Sequence, residues 1–83
     1  MLSLELGQSV SDVNGFVHQV DVPGRQLWVS VRNQVTHFDV APECTVFLHG
    51  ERVKLRLLQP MDYAYIRYAR VQDCLVAYSV LVH

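Results

Sequence analysis

The fold of this chain is decided by residues 57–68, where an apolar pair, a proline-containing turn and an alternating aromatic run follow one another directly. They read Leu57-Leu58-Gln59-Pro60-Met61-Asp62-Tyr63-Ala64-Tyr65-Ile66-Arg67-Tyr68. Proline ends the preceding segment, and alternation with a period of two is typical of a strand that is buried on one face. Most of the chain repeats this plan of short alternating segments separated by turn residues, which predicts a small all-β barrel.

Length and composition set the limits on size and class. The chain has 83 residues, of which 51% are hydrophobic, and its net charge is −1. This is enough for one folded domain over residues 1–83, with little charge to keep copies apart. Two cysteines are too few for a disulfide scaffold, and whether Cys44 and Cys74 pair stays open.

The first residues and the longest apolar runs bear on where the protein resides. Residues 1–7 lack the basic region and the long apolar core of a signal peptide. No apolar run approaches the roughly 20 residues that a membrane-spanning helix needs. We therefore expect a cytoplasmic protein that is not bound to a membrane.

The alternation predicts a barrel of about six antiparallel strands over residues 15–82, preceded by an N-terminal strand and loop over residues 1–14. The barrel strands are expected at residues 16–22, 27–32, 35–40, 44–48, 63–70 and 75–82, and the N-terminal strand at residues 2–6. Turns are expected at Pro23-Gly24 and Asn33-Gln34, and a break is expected at residues 41–43. Residues 52–58 fit either a further strand or, near residues 54–58, one short helical turn.

The outward face of the strand at residues 63–70 is the first candidate for function. If Ala64 and Ile66 point into the barrel, Tyr63, Tyr65 and Arg67 line up outside it. By the same alternation, the strand at residues 27–32 projects Trp28 and Arg32 outward. Aromatic rings beside guanidinium groups are used as anchors in protein interfaces and as stacking platforms for single-stranded nucleic acid.

The distribution of charge along the chain predicts a second feature, a basic patch. Residues 1–43 carry five acids against two arginines, whereas the second half contains Arg52, Lys54, Arg56, Arg67 and Arg70. Such asymmetry creates a local positive surface that the net charge conceals. Arg52, Lys54 and Arg56 form the candidate basic patch.

Catalytic and metal-binding constellations are missing from the sequence. Four histidines are scattered without short ligand spacing, and the loose pair Cys44 and His49 falls short of three or four converging ligands. Neither cysteine lies in a glycine-rich elbow or at an evident helix N-terminus. We expect no enzyme activity, no cofactor and no metal.

Several apolar and turn positions resemble a small bacterial OB-like β-barrel domain family of unknown function. They are Gly15-x-Val17-x-x-Val20-Asp21, Leu27-x-Val29, Phe38-x-Val40, Gly50, Leu55-x-x-Leu58-Gln59-Pro60-Met61-Asp62 and Val76-Ala77-x-x-Val80-x-Val82. The resemblance implies an OB-like barrel and no established activity. Met61 stands where this family usually has a turn glycine, which puts the geometry of that turn in question.

A periplasmic copper-chaperone domain is distantly similar in general shape. That function needs two methionines and a histidine beside a tryptophan. This chain has Trp28 but only Met1 and Met61, so a copper-binding role is not expected.

Together these features predict a non-catalytic binding module. Its expected partner is another protein or a second copy of the chain, bound through an apolar and aromatic face in a homo-oligomer. The alternative is single-stranded nucleic acid, bound through the tyrosines and arginine of residues 63–67 and the basic patch.

Overall fold

The computed structural model describes residues 10–83, and most of them lie in β-strands. The elements are β1 (Val10–Asp21), β2 (Gln26–Val31), β3 (Gln34–Leu48), β4 (Glu51–Val53), a 3-10 helix (Leu55–Leu57), β5 (Tyr63–Val71) and β6 (Cys74–Val82). The strand predicted at residues 2–6 lies outside the described residues. Within residues 10–83, no helix is long and apolar enough to cross a membrane.

Five of the strands close into a barrel in the order β1-β2-β3-β6-β5, with β5 returning to β1, and β4 adds a short flap to β3. This is an OB-like barrel, as predicted. The prediction that all strands pair antiparallel is wrong, because β3 and β6 run parallel. A ring of five strands cannot alternate in direction all the way round, so at least one neighbouring pair must be parallel.

The core is built from the inward side chains of all five barrel strands. The largest fully buried side chains are Phe38, Leu27, Ile66, Val17, Val29 and Val80. Ala64 and Ile66 are buried, as the alternation of β5 predicts, and so are Phe38 and Val40 on β3. No polar or charged residue in the described part of the chain is buried. The interior is held by apolar packing, as expected for a small barrel.

The first strand is longer than predicted, because residues 12–15 continue β1 and do not form a loop. Gly15 makes this path available: a Cβ atom there would lie 2.5 Å from the backbone oxygen of Ser30. β1 therefore passes very close to β2, as only glycine allows. Strict alternation over the strand predicted at residues 16–22 would place Phe16 and Val20 on the same face, and this prediction is also wrong. A register shift between Val17 and Gln19 moves Val20 to the inward side, while Val17 is buried and Phe16 faces out.

The break predicted at residues 41–43 is instead a bend inside one long strand, β3. Its first half pairs with β2 and its second half with β4, and the pairing with β6 is interrupted between Val40 and Thr45. The side chain of Arg25 supplies hydrogen bonds there. Its Nη2 atom donates to the oxygen of Ala41 at 2.8 Å and its Nε atom to the oxygen of Val40 at 3.4 Å. Both residues are buried, so these carbonyls have limited access to water.

Residues 52–58 contain both of the structures that the sequence left open. β4 ends at Val53, and the 3-10 helix follows with Leu55 and then Leu58 buried against the core. The turn expected at Asn33-Gln34 lies one residue earlier. Arg32 and Asn33 both have positive φ, at 52° and 67°, which is the backbone of a type I′ hairpin turn.

The turn before β5 retains a glycine-type backbone although it contains methionine. Met61 has φ 76°, and the amide of Asp62 donates to the oxygen of Gln59 at 3.1 Å. With Pro60 in the preceding position this is a type II turn, which favours glycine at the third residue. The geometry in question is therefore kept, at the cost of backbone strain in Met61.

Replacing Met61 with glycine is expected to stabilise the protein by about 1 kcal/mol, because the left-handed backbone would no longer crowd a Cβ atom. The free energy of unfolding from urea denaturation measures this. Met61→Ala is the matched control, since alanine removes the exposed side chain but keeps the strain. If alanine stabilises the protein as much as glycine does, the strain is not the cause.

Replacing Arg25 with methionine is expected to destabilise the protein by about 1–3 kcal/mol, because the buried carbonyls at the bend of β3 lose charged donors. Urea denaturation again measures the change. Arg32→Met is a suitable control, since Arg32 also lies in a turn with positive φ but is exposed. Equal effects of the two substitutions would contradict the role given to Arg25.

Candidate interaction surface

The outward side chains of β1 and β5 form one continuous surface, which we call the tyrosine face. Three cross-strand pairs compose it: Asp12 opposite Arg67, Asn14 opposite Tyr65, and Phe16 opposite Tyr63. Side chains in such pairs lie close together on the same side of a sheet. The outward placement of Tyr63, Tyr65 and Arg67 is as the alternation of residues 63–68 predicts.

Three aromatic rings dominate the tyrosine face and are open to solvent. Phe16 is 45% exposed, Tyr63 53% and Tyr65 36%. The rings of Phe16 and Tyr63 pack with their centroids 4.9 Å apart and their planes tilted by 60°. Aromatic side chains usually bury most of their area, so three exposed rings side by side make this face a candidate for contact with a partner.

Asp12 organises the polar end of the tyrosine face. Its carboxylate accepts a hydrogen bond from the hydroxyl of Tyr65 at 2.6 Å and another from Nε of Arg67 at 3.0 Å. The hydrogen bonds from Arg67 and Tyr65 lower the pKa of Asp12, and the bond to Asp12 raises the pKa of Tyr65. One exposed carboxylate therefore holds the side chains of both Tyr65 and Arg67 in place.

A cavity of about 570 Å³ adjoins the tyrosine face where β1 runs past the end of β2. Its lining includes Tyr63 and Tyr65 from β5, Phe16 from β1, and Arg32 from the β2–β3 turn. Three of the five predicted surface residues thus meet at one cavity. Arg32 does not project from β2 as predicted, because β2 ends at Val31 and the turn carries Arg32 to the rim.

Trp28 lies apart from this cavity, on the outer side of β2. Its ring packs on His37 of the neighbouring β3, with centroids 5.0 Å apart. His37 in turn contacts Gln26, with 2.9 Å between its Nε2 atom and the amide oxygen. Trp28 is only partly exposed. Trp28 packs against its neighbour on β3 and does not belong to the tyrosine face.

The predicted basic patch lies on a second surface. Arg52, Lys54 and Arg56 line a groove of about 350 Å³ together with Arg25, which the sequence had not indicated. The lining of this groove shares no residue with the cavity beside the tyrosine face. The two groups of residues that the sequence combined into one nucleic-acid surface are therefore distinct sites.

On the tyrosine face, sequence reasoning missed Asp12, Asn14 and Phe16. The signal for Phe16 was present, because Val13, Gly15 and Val17 alternate and would place Phe16 outward. Nothing in the local sequence relates Asp12 to Arg67, which lies 55 residues further along the chain. Their contact follows only from the pairing of β1 with β5.

Both cysteines are free thiols in the structure. Burial raises the pKa of the Cys44 thiol to about 11. Two smaller effects are the charge of Arg25, which lowers this pKa, and the charge of Glu43, which raises it. Cys44 is therefore protonated at neutral pH and a poor nucleophile. Cys74 lies exposed at the start of β6.

No protein-family model matches the sequence, and no curated protein matches it either. Among solved structures, the fold matches that of CusF from Escherichia coli. The metal-free form of CusF has 11% sequence identity and a TM-score of 0.74, and the match covers 95% of this chain and 93% of that one. The Ag(I) complex of CusF has 10% identity and a TM-score of 0.75, over 95% of this chain and 98% of that one. The structural match establishes a shared OB-like fold. Sequence identity this low does not show which ligand this chain binds.

The residues that the structure describes do not fit a site for a soft ion such as the Ag(I) of the CusF complex. Within residues 10–83, no three histidine, cysteine, aspartate or glutamate side chains are gathered where they could hold an ion. Met61 is the only methionine in this range, and Trp28 is already packed on His37. Soft ions need sulfur ligands in the site, and the described part of the chain does not gather them.

Replacing Asp12 with asparagine is expected to lower the pKa of Tyr65 towards the ordinary tyrosine value of about 10, because the carboxylate that stabilises its protonated form is lost. NMR titration of the Tyr65 ring signals measures the shift. Asp39→Asn is the control, because Asp39 is not among the groups that shift the pKa of Tyr65. An unchanged pKa of Tyr65 in Asp12→Asn would contradict the hydrogen bond.

The same contact predicts the direction of a pH effect on stability. The pKa of Asp12 is depressed in the folded state, so its contribution is fully present above the unfolded pKa of about 3.9 and is lost as the pH falls through the lower folded value. Asp12→Asn is therefore expected to flatten the dependence of the free energy of unfolding on pH below about pH 4. Urea denaturation at several acidic pH values measures this. A slope identical to that of the unsubstituted protein would rule the contribution out.

Proposed function

We propose that the protein is a non-catalytic binding module and that its tyrosine face binds a protein surface, in the first place that of a second copy of the chain. The observation that carries the proposal is the group of exposed rings Phe16, Tyr63 and Tyr65 beside a cavity of about 570 Å³. Clustered aromatic anchors next to a pocket are the usual centre of a protein interface.

The arrangement of Asp12, Tyr65 and Arg67 supports binding in a defined orientation. Both partners of Asp12 are held by hydrogen bonds before any ligand arrives. Tyrosine and arginine are enriched at interface hot spots, where their rigid planar groups fill pockets and donate hydrogen bonds. Such a surface loses little side-chain freedom when it is covered.

A strand edge that has no neighbour among the described residues supports a second copy as the partner. In the described part of the chain, β1 pairs with β5 from Val10 onward but with β2 only from Phe16 onward. The edge of residues 10–14 that faces away from β5 therefore has no described neighbour. Two such edges can pair antiparallel about a two-fold axis, which would bring the two tyrosine faces side by side into one larger surface. The net charge of −1 leaves little repulsion to oppose this contact.

Single-stranded nucleic acid fits these observations less well. The carboxylate of Asp12 lies between Tyr65 and Arg67 and compensates the charge that would attract a phosphate. The basic patch lines a separate groove, so a strand stacked on the tyrosines would not run directly over it. Binding of this kind needs cations that follow the path of the stacked bases.

Size exclusion coupled to light scattering, from low to high micromolar protein and at low and high salt, tests the proposal. We expect a dimer at high concentration that persists at high salt, since apolar contacts are not screened. Replacing both Phe16 and Tyr63 with serine is expected to shift the protein to monomer. Leu57→Ser is the matched control, because Leu57 is similarly exposed, at 41%, but lies in the 3-10 helix away from the tyrosine face.

A strict monomer at high micromolar concentration would contradict self-association. A dimer that Leu57→Ser disrupts as strongly as the double substitution would place the interface elsewhere. Titration with a single-stranded oligonucleotide at low salt tests the alternative, and tight, salt-sensitive binding that requires Tyr63 and Tyr65 would replace the protein partner with nucleic acid.

A further inference from the structure

Among the residues that the structure describes, four cationic side chains and no acidic one line the groove that contains the basic patch. Arg25, Arg52, Lys54 and Arg56 lie around it, and its remaining lining consists of Val22, Pro42, Cys44, Val46, Val53 and Leu55. Its volume is about 350 Å³, within the range of small-molecule sites. Positive charge at the rim and apolar groups between make it chemically unlike the cavity beside the tyrosine face.

Four separate parts of the fold bring these residues together. The β1–β2 loop supplies Arg25, the second half of β3 supplies Cys44 and Val46, and β4 with the 3-10 helix supplies Arg52 to Arg56. Burial of Leu55 fixes the 3-10 helix against the core and leaves Lys54 and Arg56 on the exposed side. Arg25 is fixed by its bonds to the carbonyls of Val40 and Ala41. The groove is therefore held by the fold and does not depend on mobile side chains alone.

Within residues 10–83, no carboxylate compensates the positive charges in the groove. Among residues 10–83, the ion pairs are Arg67 with Asp12 and the weaker contact of His37 with Asp39, so none of the four groove cations has a carboxylate within 4.0 Å. Glu43 is near enough to influence Cys44 but does not line the groove. Like charges held together repel one another, and an anion in the groove would relieve that repulsion.

We propose that this groove binds a small organic phosphate, with the phosphate held by Arg52, Lys54 and Arg56 and the apolar part of the ligand packed over Val46 and Leu55. Guanidinium groups match the geometry of phosphate oxygens and bind them through paired hydrogen bonds. The apolar floor requires a ligand with a body as well as a charge. A nucleic-acid strand fits less well, because the exposed tyrosines line a different cavity.

Titration of ¹⁵N-labelled protein with adenosine 5′-monophosphate, followed by amide chemical shifts at low salt, tests the proposal. We expect saturable shifts at residues 44–46 and 52–56. Adenosine without phosphate is expected to cause no shift, and inorganic phosphate is expected to shift the same residues with lower affinity. The double substitution Lys54→Gln and Arg56→Gln is expected to weaken binding at least about tenfold through the loss of charge-assisted hydrogen bonds.

Arg70→Gln is the matched control. Arg70 is an exposed arginine on β5 that does not line the groove. Its replacement removes one positive charge, as each of the two groove substitutions does, but removes no proposed contact with the phosphate. The substituted residues are exposed, and unchanged thermal unfolding would confirm that each variant is folded.

Four results would overturn the proposal. They are the absence of shifts at any concentration of the nucleotide, equal binding of adenosine, equal weakening by Arg70→Gln, and tighter binding of a single-stranded oligonucleotide at residues 52–56. None of them bears on the dimer measured by light scattering, so the outcomes for the two surfaces are independent.

Discussion

The parallel pairing of β3 with β6 is the contact on which the rest of the structure depends. It closes the five-stranded ring. As a result, β3 pairs with β2 along its first half and with β4 and β6 along its second half. β3 bends near Ala41 and Pro42, where its pairing with β6 is interrupted. At this bend, Arg25 donates hydrogen bonds to the two carbonyl oxygens of Val40 and Ala41. An apolar core alone would not satisfy these groups, because each buried carbonyl without a donor costs free energy.

Closure of the ring also determines where the surfaces lie. β1 and β5 become neighbours, so that Asp12 meets Arg67 and Tyr65 across 55 and 53 residues of sequence. The bend of β3 and the flap formed by β4 place the basic groove next to Arg25. The two surfaces therefore arise from the same topological requirement, although they share no lining residue.

The sequence predicted the barrel, the inward residues of β5 and the outward tyrosines, because strand alternation is a local signal that burial on one face enforces. It did not predict the parallel pair, since strand direction around a ring depends on closure and not on any local pattern. Phe16 was misplaced because the register shift after Val17 changes the alternation partway along β1. Arg25 was missed because its role depends on carbonyls 15 and 16 residues away. Residues 52–58 were ambiguous because Leu55 and Leu58 fit both a strand and a helical turn, and only their packing against the core selects the turn.

The hydrogen bonds of Asp12 have a kinetic consequence for any complex that forms on the tyrosine face. Tyr65 and Arg67 are already restrained in the free protein. Their side-chain rotamer entropy is therefore lost when the protein folds and not when a partner binds. Release of a partner then gives these side chains little freedom in return. The lifetime of the complex, more than the speed of its formation, is the quantity that this carboxylate is expected to control.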